Sequence, residues 1–242
     1  MCKDQAGSDK GECAPERTQE LRTVNQKQQN QLMPLATLIL LALTVLLIAR
    51  NNDLIFQDKG ELSVARDRGD PETIVFTWRN EVEAPMARRF EEAWREWKNE
   101  GDRVVIDLHS PGGAIAEGQE VIRIIERMKR THIVDTRVRS RRACYSMCVP
   151  IFLQGEERFA ASNATFMFHE PTAYDFYTGE KVDQPKFERD MMSRRFFDIY
   201  FVNSPMDPVW RDRLSREWKG KDLFYSAQEL TDQNSNIVTV LE

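Results

Sequence analysis

The sequence lacks several features that would each assign it to a class of protein. It has no internal repeat and no glycine-rich nucleotide-binding loop, so a repeat array and an intrinsic ATP-driven motor are excluded. A net charge of −5 over 242 residues gives no general basis for binding nucleic acid. Histidine is scarce, with three residues, and the sequence holds no cluster of metal-ligand side chains. Neither a metal nor another cofactor is therefore expected.

One segment lacks charged residues altogether. Residues 32–49 read LMPLATLILLALTVLLIA, and as a helix they would extend roughly 27 Å, close to the ~30 Å hydrocarbon core of a bilayer. A buried core helix normally has a polar face, whereas this stretch offers only Thr37 and Thr44. The pattern predicts a single transmembrane helix over residues 32–49.

The flanks of this apolar run favour an uncleaved anchor over a cleaved signal. A polar segment precedes the run, and IARNND after it is a poor cleavage site. The flanking charges are balanced, with Arg22 and Lys27 before the run and Arg50 and Lys59 after it. Since an early anchor ahead of one large domain acts most simply as a signal-anchor, we expect a single-pass inner-membrane protein with a periplasmic C-terminal domain.

Composition divides the chain into four parts. Residues 1–31 are polar and nearly free of large apolar side chains, so they are predicted to be disordered. The transmembrane helix at 32–49 is followed by a linker at 50–71 and a globular domain at 72–242. In that domain, β-branched runs such as TIVFTW and RVVIDL alternate with helical periodicity, which predicts an α/β fold with parallel crossovers.

Three short segments of this domain carry residues suited to chemistry. HSPGG, His109–Gly113, joins a predicted strand to a predicted helix, and its glycines leave N–H groups directed outward, which suits an anion. Ser146 lies in ACYSMC at the expected start of a helix, and His169 closes a strand in FMFHEP. Taken singly, each is as typical of a turn, a helix cap or a structural histidine.

Taken together, the segments resemble a known family. IDLHSPGG, ACYSMC…IFLQGEERFA, FMFHEP and DLFYSAQEL are similar, in order and spacing, to motifs of the proteolytic subunit of Clp protease and its membrane-associated relatives. The resemblance covers residues 72–242. It implies a ClpP/crotonase-like fold of repeated β-β-α units wound as a superhelix, a serine endopeptidase activity, homo-oligomers, and peptides or unfolded proteins as substrates.

The resemblance also implies a role for individual residues. A serine hydroxyl becomes a nucleophile only when an imidazole accepts its proton, and a carboxylate then orients that imidazole. Charge on the substrate oxygen needs preorganised donors. The positions implied are Ser146 as nucleophile, His169 as general base, Asp222 as the aspartate, the amides of Gly113 and Met147 as the oxyanion hole, and Gly112 as a substrate-binding residue.

Two departures from the family pattern leave alternatives open. Cys144 and Cys148 replace small residues beside Ser146; they are buried thiols in a reducing compartment, or a disulfide outside the cytoplasm if their Cα atoms lie within about 7 Å. The segment from Pro171 to Pro208 also departs from the family pattern. Its helical stretch FERDMMSRRFFDIYF is apolar enough for a subunit or membrane contact, or it covers its own core.

Two other functions are compatible with the same fold. One is a catalytically silent relative that binds peptides or assembles. The other is a crotonase-like enzyme acting on acyl thioesters through the oxyanion hole alone, which a complete Ser–His–Asp set argues against because that chemistry does not require it.

The predicted orientation can be tested in a bacterium that has an outer membrane. If the signal-anchor exports the domain, external protease should degrade the C-terminal domain in spheroplasts and leave it intact in whole cells. Protection in spheroplasts, followed by degradation only after lysis, would place the domain in the cytoplasm and contradict the expected orientation.

Overall fold

The computed structural model describes residues 62–174, 178 and 180–242. They belong to the compact unit Asp58–Glu242. Among the described residues, no helix combines the length and apolar character needed to cross a bilayer. The predicted disordered segment 1–31 and transmembrane helix 32–49 lie outside the described residues.

Strands of two sheets and six α-helices make up the described domain. The strands are β1 (Leu62–Arg66), β2 (Thr73–Trp78), β3 (Arg103–Leu108), β4 (Ile133–Val138), β5 (Ala143–Tyr145), β6 (Arg158–Ala160), β7 (Thr165–Phe168), β8 (Leu223–Ser226) and β9 (Val240–Leu241). The helices are α1 (Met86–Trp97), α2 (Ile115–Met128), α3 (Cys148–Phe152), α4 (Lys186–Phe197), α5 (Pro208–Glu217) and α6 (Ala227–Asp232).

The larger sheet has six strands in the order β1-β2-β3-β4-β6-β9. β1 pairs antiparallel with β2, and every other neighbouring pair is parallel. Helices α1 and α2 form the crossovers between β2, β3 and β4. Because β2 and β3 are buried along almost their whole length, they consist of apolar runs rather than alternating residues. The α/β fold predicted from the sequence is confirmed.

Helix α1 covers this sheet with one apolar face. Met86, Phe90 and Trp94 are its buried residues, spaced four apart as a single helix face requires. The Phe90 ring lies 5.8 Å from that of Phe76 and 6.3 Å from that of Trp78, both on β2. This packing therefore fixes the carboxyl end of β2. The residues just after β2 include Val82, which hydrogen-bonds to the glycine turn at 109–113.

The predicted linker 50–71 is too long at its C-terminal end. Residues 62–66 form β1, paired with β2 from Leu62–Trp78 to Arg66–Ile74. Leu62 and Val64 pack against the hydrophobic core, whereas the alternate residues face outward. An edge strand with only two core-facing side chains has too weak a pattern to be separated from a linker by sequence.

The smaller sheet has the order β5-β7-β8, with β5–β7 parallel and β7–β8 antiparallel. The predicted helical stretch FERDMMSRRFFDIYF, residues 187–201, falls in α4 and a π-helical turn, Asp198–Val202. One side of this stretch packs Phe196, Phe197 and Phe201 around Trp218, and the other exposes Phe187 and Met191. The segment thus covers the core and also presents an apolar surface.

Candidate active site

Ser146 lies at the sharp turn between β5 and α3. Its amide donates a hydrogen bond to the Met167 carbonyl at 2.9 Å, and its carbonyl accepts one from Val149 N–H at 2.9 Å. Its φ angle is +51°, a left-handed conformation that costs a non-glycine residue about 1–3 kcal/mol. Such a conformation persists only where the surrounding structure stabilises it. It also turns the backbone at Ser146 away from the direction of β5.

His169 is the residue that follows β7, the neighbour of β5. Cys144 pairs with Phe166 and Tyr145 pairs with Met167 in this parallel ladder. Ser146 and His169 therefore follow their strands at the same edge of the smaller sheet. His169 Nε2 lies 2.7 Å from Ser146 Oγ, within hydrogen-bond distance. The two residues, 23 positions apart in the chain, therefore meet as a general base and a nucleophile must.

The glycine turn packs directly against Ser146. Ser110 pairs with both neighbours of Cys144, donating to the Ala143 carbonyl at 2.8 Å and accepting from the Tyr145 amide at 3.0 Å. Gly112, with φ +92°, comes so close that a Cβ there would lie 2.6 Å from Ser146 Cβ. Any larger residue would displace the serine, and this close approach explains why the turn requires glycine.

Two backbone amides beside Ser146 donate no hydrogen bond within the described part of the chain. One belongs to Gly113, whose φ is +149°. The other belongs to Met147, the residue that precedes α3. Neighbouring groups fix Gly113, because Val82 N–H donates to the Gly112 carbonyl and Ala114 N–H donates to the Val82 carbonyl, both at 2.7 Å. Two unused donors next to a nucleophile can stabilise an oxyanion.

Asp222 is placed opposite His169 but is not bonded to it. Phe168 pairs with Leu223 in the antiparallel β7–β8 ladder, so the next residues outward are His169 and Asp222. Within the part of the chain that the structure describes, no hydrogen bond or ion pair joins the imidazole to the Asp222 carboxylate. Asp222 is exposed. Of the three predicted side chains, the structure brings two into contact and leaves the third nearby.

Burial and two charges set the protonation of His169. Desolvation is the largest influence and lowers its pKa, the negative charge of Asp222 raises it, and the positive charge of Lys181 lowers it. The net pKa lies below the ordinary histidine value. The imidazole is therefore held in its neutral form, which is the form that can accept the serine proton.

Cys144 and Cys148 flank this serine and are joined by a disulfide in the structure. Their Cα atoms lie 5.2 Å apart, and both residues are fully buried. The bond connects β5 to the first residue of α3, so it closes a short covalent ring around Ser146. Of the two states left open by the sequence, the structure has the bonded one.

Two further residues lie near this site and were not among the site residues predicted from the sequence. Glu170 follows His169 and accepts hydrogen bonds from Ser193 and Gly220, and Lys181 acts electrostatically on the imidazole. Glu170 could have been proposed from the sequence because it is adjacent to His169, a predicted site residue. No sequence feature pointed to Lys181, because only the folding of the segment after β7 brings it near His169.

Outside this site, the described residues include a groove with basic side chains and no cluster suited to a metal ion. Among them, no group of three or more histidine, cysteine or carboxylate side chains is arranged to hold a metal ion. A groove of about 690 Å³ is lined by Arg123, Arg158 and Tyr200. The Arg158 guanidinium donates to the carbonyls of Ile237, Gly155, Glu156 and Asn236, so it holds the fold together and is not available to an anion.

Comparison with known proteins adds evidence on the fold. No protein-family model matches the sequence, and no curated protein matches it either. Among solved structures, the chain is similar to a point mutant of ClpP1 from Listeria monocytogenes, with a TM-score of 0.54 and 17% sequence identity, over 71% of this chain and 91% of the ClpP1 chain. The chain has an α/β fold resembling ClpP. At this identity the likeness concerns the fold alone.

The disulfide predicts a measurable contribution to stability. Replacing both cysteines (C144A/C148A) should lower the free energy of unfolding by about 2 kcal/mol, because the unfolded chain regains the entropy of a five-residue loop. Urea unfolding of the full-length chain measures the change, and C2A/C13A serves as the control with no change expected. Alkylation of all four cysteines in unreduced, denatured protein would contradict the disulfide.

Proposed function

We propose that the chain is a membrane-anchored serine peptidase that hydrolyses peptide bonds through an acyl-enzyme on Ser146. The observation that carries the proposal is the 2.7 Å contact between Ser146 Oγ and His169 Nε2, at a left-handed serine with two unused amides beside it. Residues 32–49 anchor the chain in the inner membrane, and the catalytic domain lies on the periplasmic side.

Acylation begins when Ser146 Oγ attacks the scissile carbonyl carbon and His169 Nε2 takes the hydroxyl proton. The carbonyl electron pair moves to oxygen, and the amides of Gly113 and Met147 donate to the oxyanion. As the tetrahedral intermediate collapses, the C–N bond breaks and the imidazolium gives its proton to the leaving amine. Water then attacks the acyl-enzyme with the same base, which restores the serine and releases the acid.

Asp222 is the third residue of the proposed triad. An imidazolium forms transiently in both steps, and a nearby carboxylate stabilises it and fixes the tautomer. Hydrogen bonds in catalytic sites are often long before substrate binds and tighten in the complex. We infer that Asp222 reaches the second nitrogen of the imidazole in this way, from its position opposite His169.

Peptides or unfolded protein segments are the proposed substrates, and a second copy of the chain is the proposed partner. A distant resemblance of the fold to ClpP supports the peptide substrate and the self-association. The apolar side chains that α4 and the turn after it expose add a second indication for self-association, because large exposed hydrophobic surfaces favour contacts between proteins. They are Phe187, Met191, Ile199 and Val202.

A fluorophosphonate probe tests the nucleophile directly. The full-length protein should be labelled covalently, and Ser146→Ala should abolish labelling and reduce peptide hydrolysis by at least about 10⁴-fold. Ser162→Ala, at an exposed serine, is the matched control and should label normally. Folded wild-type protein that does not label would contradict the peptidase and favour the catalytically silent relative.

The pH dependence of kcat/KM tests the assignment of His169. Because its pKa is depressed and the neutral imidazole is the active form, activity should be lost on acidification with a midpoint below about 6.5. Lys181→Met should move that midpoint to higher pH, since the ammonium lowers the His169 pKa.

Lys186→Met is the control for this titration, because Lys186 is an exposed lysine at the start of α4 and should leave the midpoint unchanged. A midpoint that does not respond to Lys181→Met would contradict either the influence of Lys181 on the imidazole or the assignment of the acidic midpoint to His169.

A further inference from the structure

The Glu170 carboxylate connects three parts of the domain. Its Oε2 accepts a hydrogen bond from the Gly220 amide at 2.8 Å, and its Oε1 accepts one from Ser193 Oγ at 2.6 Å. Glu170 itself directly follows His169 at the end of β7. One carboxylate thus joins the strand end that carries the histidine to a turn before β8 and to helix α4.

Each partner is a fixed point in the fold. Ser193 is 5% exposed, on the buried side of α4. Gly220 has φ +65° and lies in a tight turn in which the Lys221 amide donates to the Trp218 carbonyl at 3.1 Å. That turn leads to Asp222 two residues later. A bond to Gly220 therefore restrains the backbone that carries Asp222.

Asp222 depends on this restraint because it has no direct bond to His169. The β7–β8 ladder ends with the pair Phe168–Leu223, and the Glu170–Gly220 hydrogen bond continues the connection beyond that pair. Since Asp222 is exposed and its charge is screened by solvent, a displacement of a few ångströms would weaken its effect on the imidazole.

We propose that Glu170 is a positioning residue that sets the distance between the Asp222 carboxylate and the His169 imidazole by holding the Gly220 turn against α4. Its consequence for catalysis depends on the proposed peptidase function, but the placement of the charge does not. The charged groups around the imidazole are Asp222 on the turn, Lys181 on the segment before α4 and Glu170 on the strand end.

NMR titration of the histidines in the full-length, histidine-labelled chain measures this placement without any substrate. The chain has three histidines, so His169 can be assigned from His169→Gln. Glu170→Ala should lower the His169 pKa, in the same direction as Asp222→Asn, because the charge that raises it moves away. In the double variant, Glu170→Ala should add no further decrease beyond that of Asp222→Asn.

Glu170→Gln separates position from charge. Its amide oxygen can accept from Gly220 N–H and its amide group can donate to Ser193 Oγ, so the His169 pKa should return close to the wild-type value. Glu188→Ala, at an exposed carboxylate in the first turn of α4, is the control and should leave it unchanged. Ser193→Ala removes one of the two bonds and should give a smaller decrease, which keeps the test available if Glu170→Ala does not fold.

Three outcomes would overturn the proposal. In the first, Glu170→Ala leaves the His169 titration unchanged. In the second, Glu170→Gln lowers the His169 pKa as much as Glu170→Ala does. In the third, Glu170→Ala lowers that pKa equally in the Asp222→Asn background. The second and third outcomes would show that Glu170 acts through its own charge or through stability.

Activity gives an independent measurement. With rates normalised to fluorophosphonate-titrated sites, Glu170→Ala should lower kcat about 10-fold with little change in KM, because orientation of the base acts on the chemical step. Glu170→Gln should restore kcat to within about threefold of the wild type. An unchanged kcat per labelled site would contradict the positioning role. If the wild type does not label at all, the peptidase proposal fails, and the histidine titration alone decides the role of Glu170.

Discussion

The parallel pairing of β5 with β7 brings Ser146 next to His169, and the site depends on it. β5 has three residues, and its register rests on the pairs from Ala143–Thr165 to Tyr145–Met167. The Ser146 amide extends the same ladder by bonding to the Met167 carbonyl. From this edge the chain must turn at once into α3, and the left-handed Ser146 makes that turn. The disulfide and the Gly112 backbone hold the turn on either side.

Electrostatics at the site follow from the same placement. Because His169 is half-buried at the strand end, desolvation lowers its pKa more than Asp222 raises it. A triad in which carboxylate and imidazole are bonded would raise the histidine pKa and strengthen its basicity. Here the carboxylate lies at a distance, on a turn that Glu170 holds. The site therefore has a serine hydroxyl and an imidazole in contact, with a carboxylate nearby that is not bonded to the imidazole.

Much of the fold followed from local patterns. β2 and β3 are long apolar runs, and α1 and α2 have regular helical periodicity, so their residues specify them without the rest of the chain. In α1, Met86, Phe90 and Trp94 are buried, and Ala93 and Trp97 pack partly buried against the same core. β1, β5 and β8 escaped prediction because short strands obtain their stability from cross-strand partners that sequence does not reveal.

The candidate site, like the fold, could be predicted from the sequence only in part. Ser146, His169 and the glycine turn were predictable because they fall in short motifs that resemble those of a family. The missing bond to Asp222, the effect of Lys181 and the Glu170–Gly220 contact depend on how the segments between β7 and β8 fold, and that region departs from the family pattern. The cysteine pair could be noticed in the sequence, but its bonded state required the 5.2 Å approach of the two Cα atoms.

A crystal structure of the full-length protein after reaction with a peptidyl phosphonate tests the central claim most directly. We predict a bond from phosphorus to Ser146 Oγ, with a phosphoryl oxygen within about 3 Å of the amide nitrogens of both Gly113 and Met147. A phosphonate bonded to Ser146 with its oxygen directed away from both amides, or an adduct formed on another residue, would contradict it.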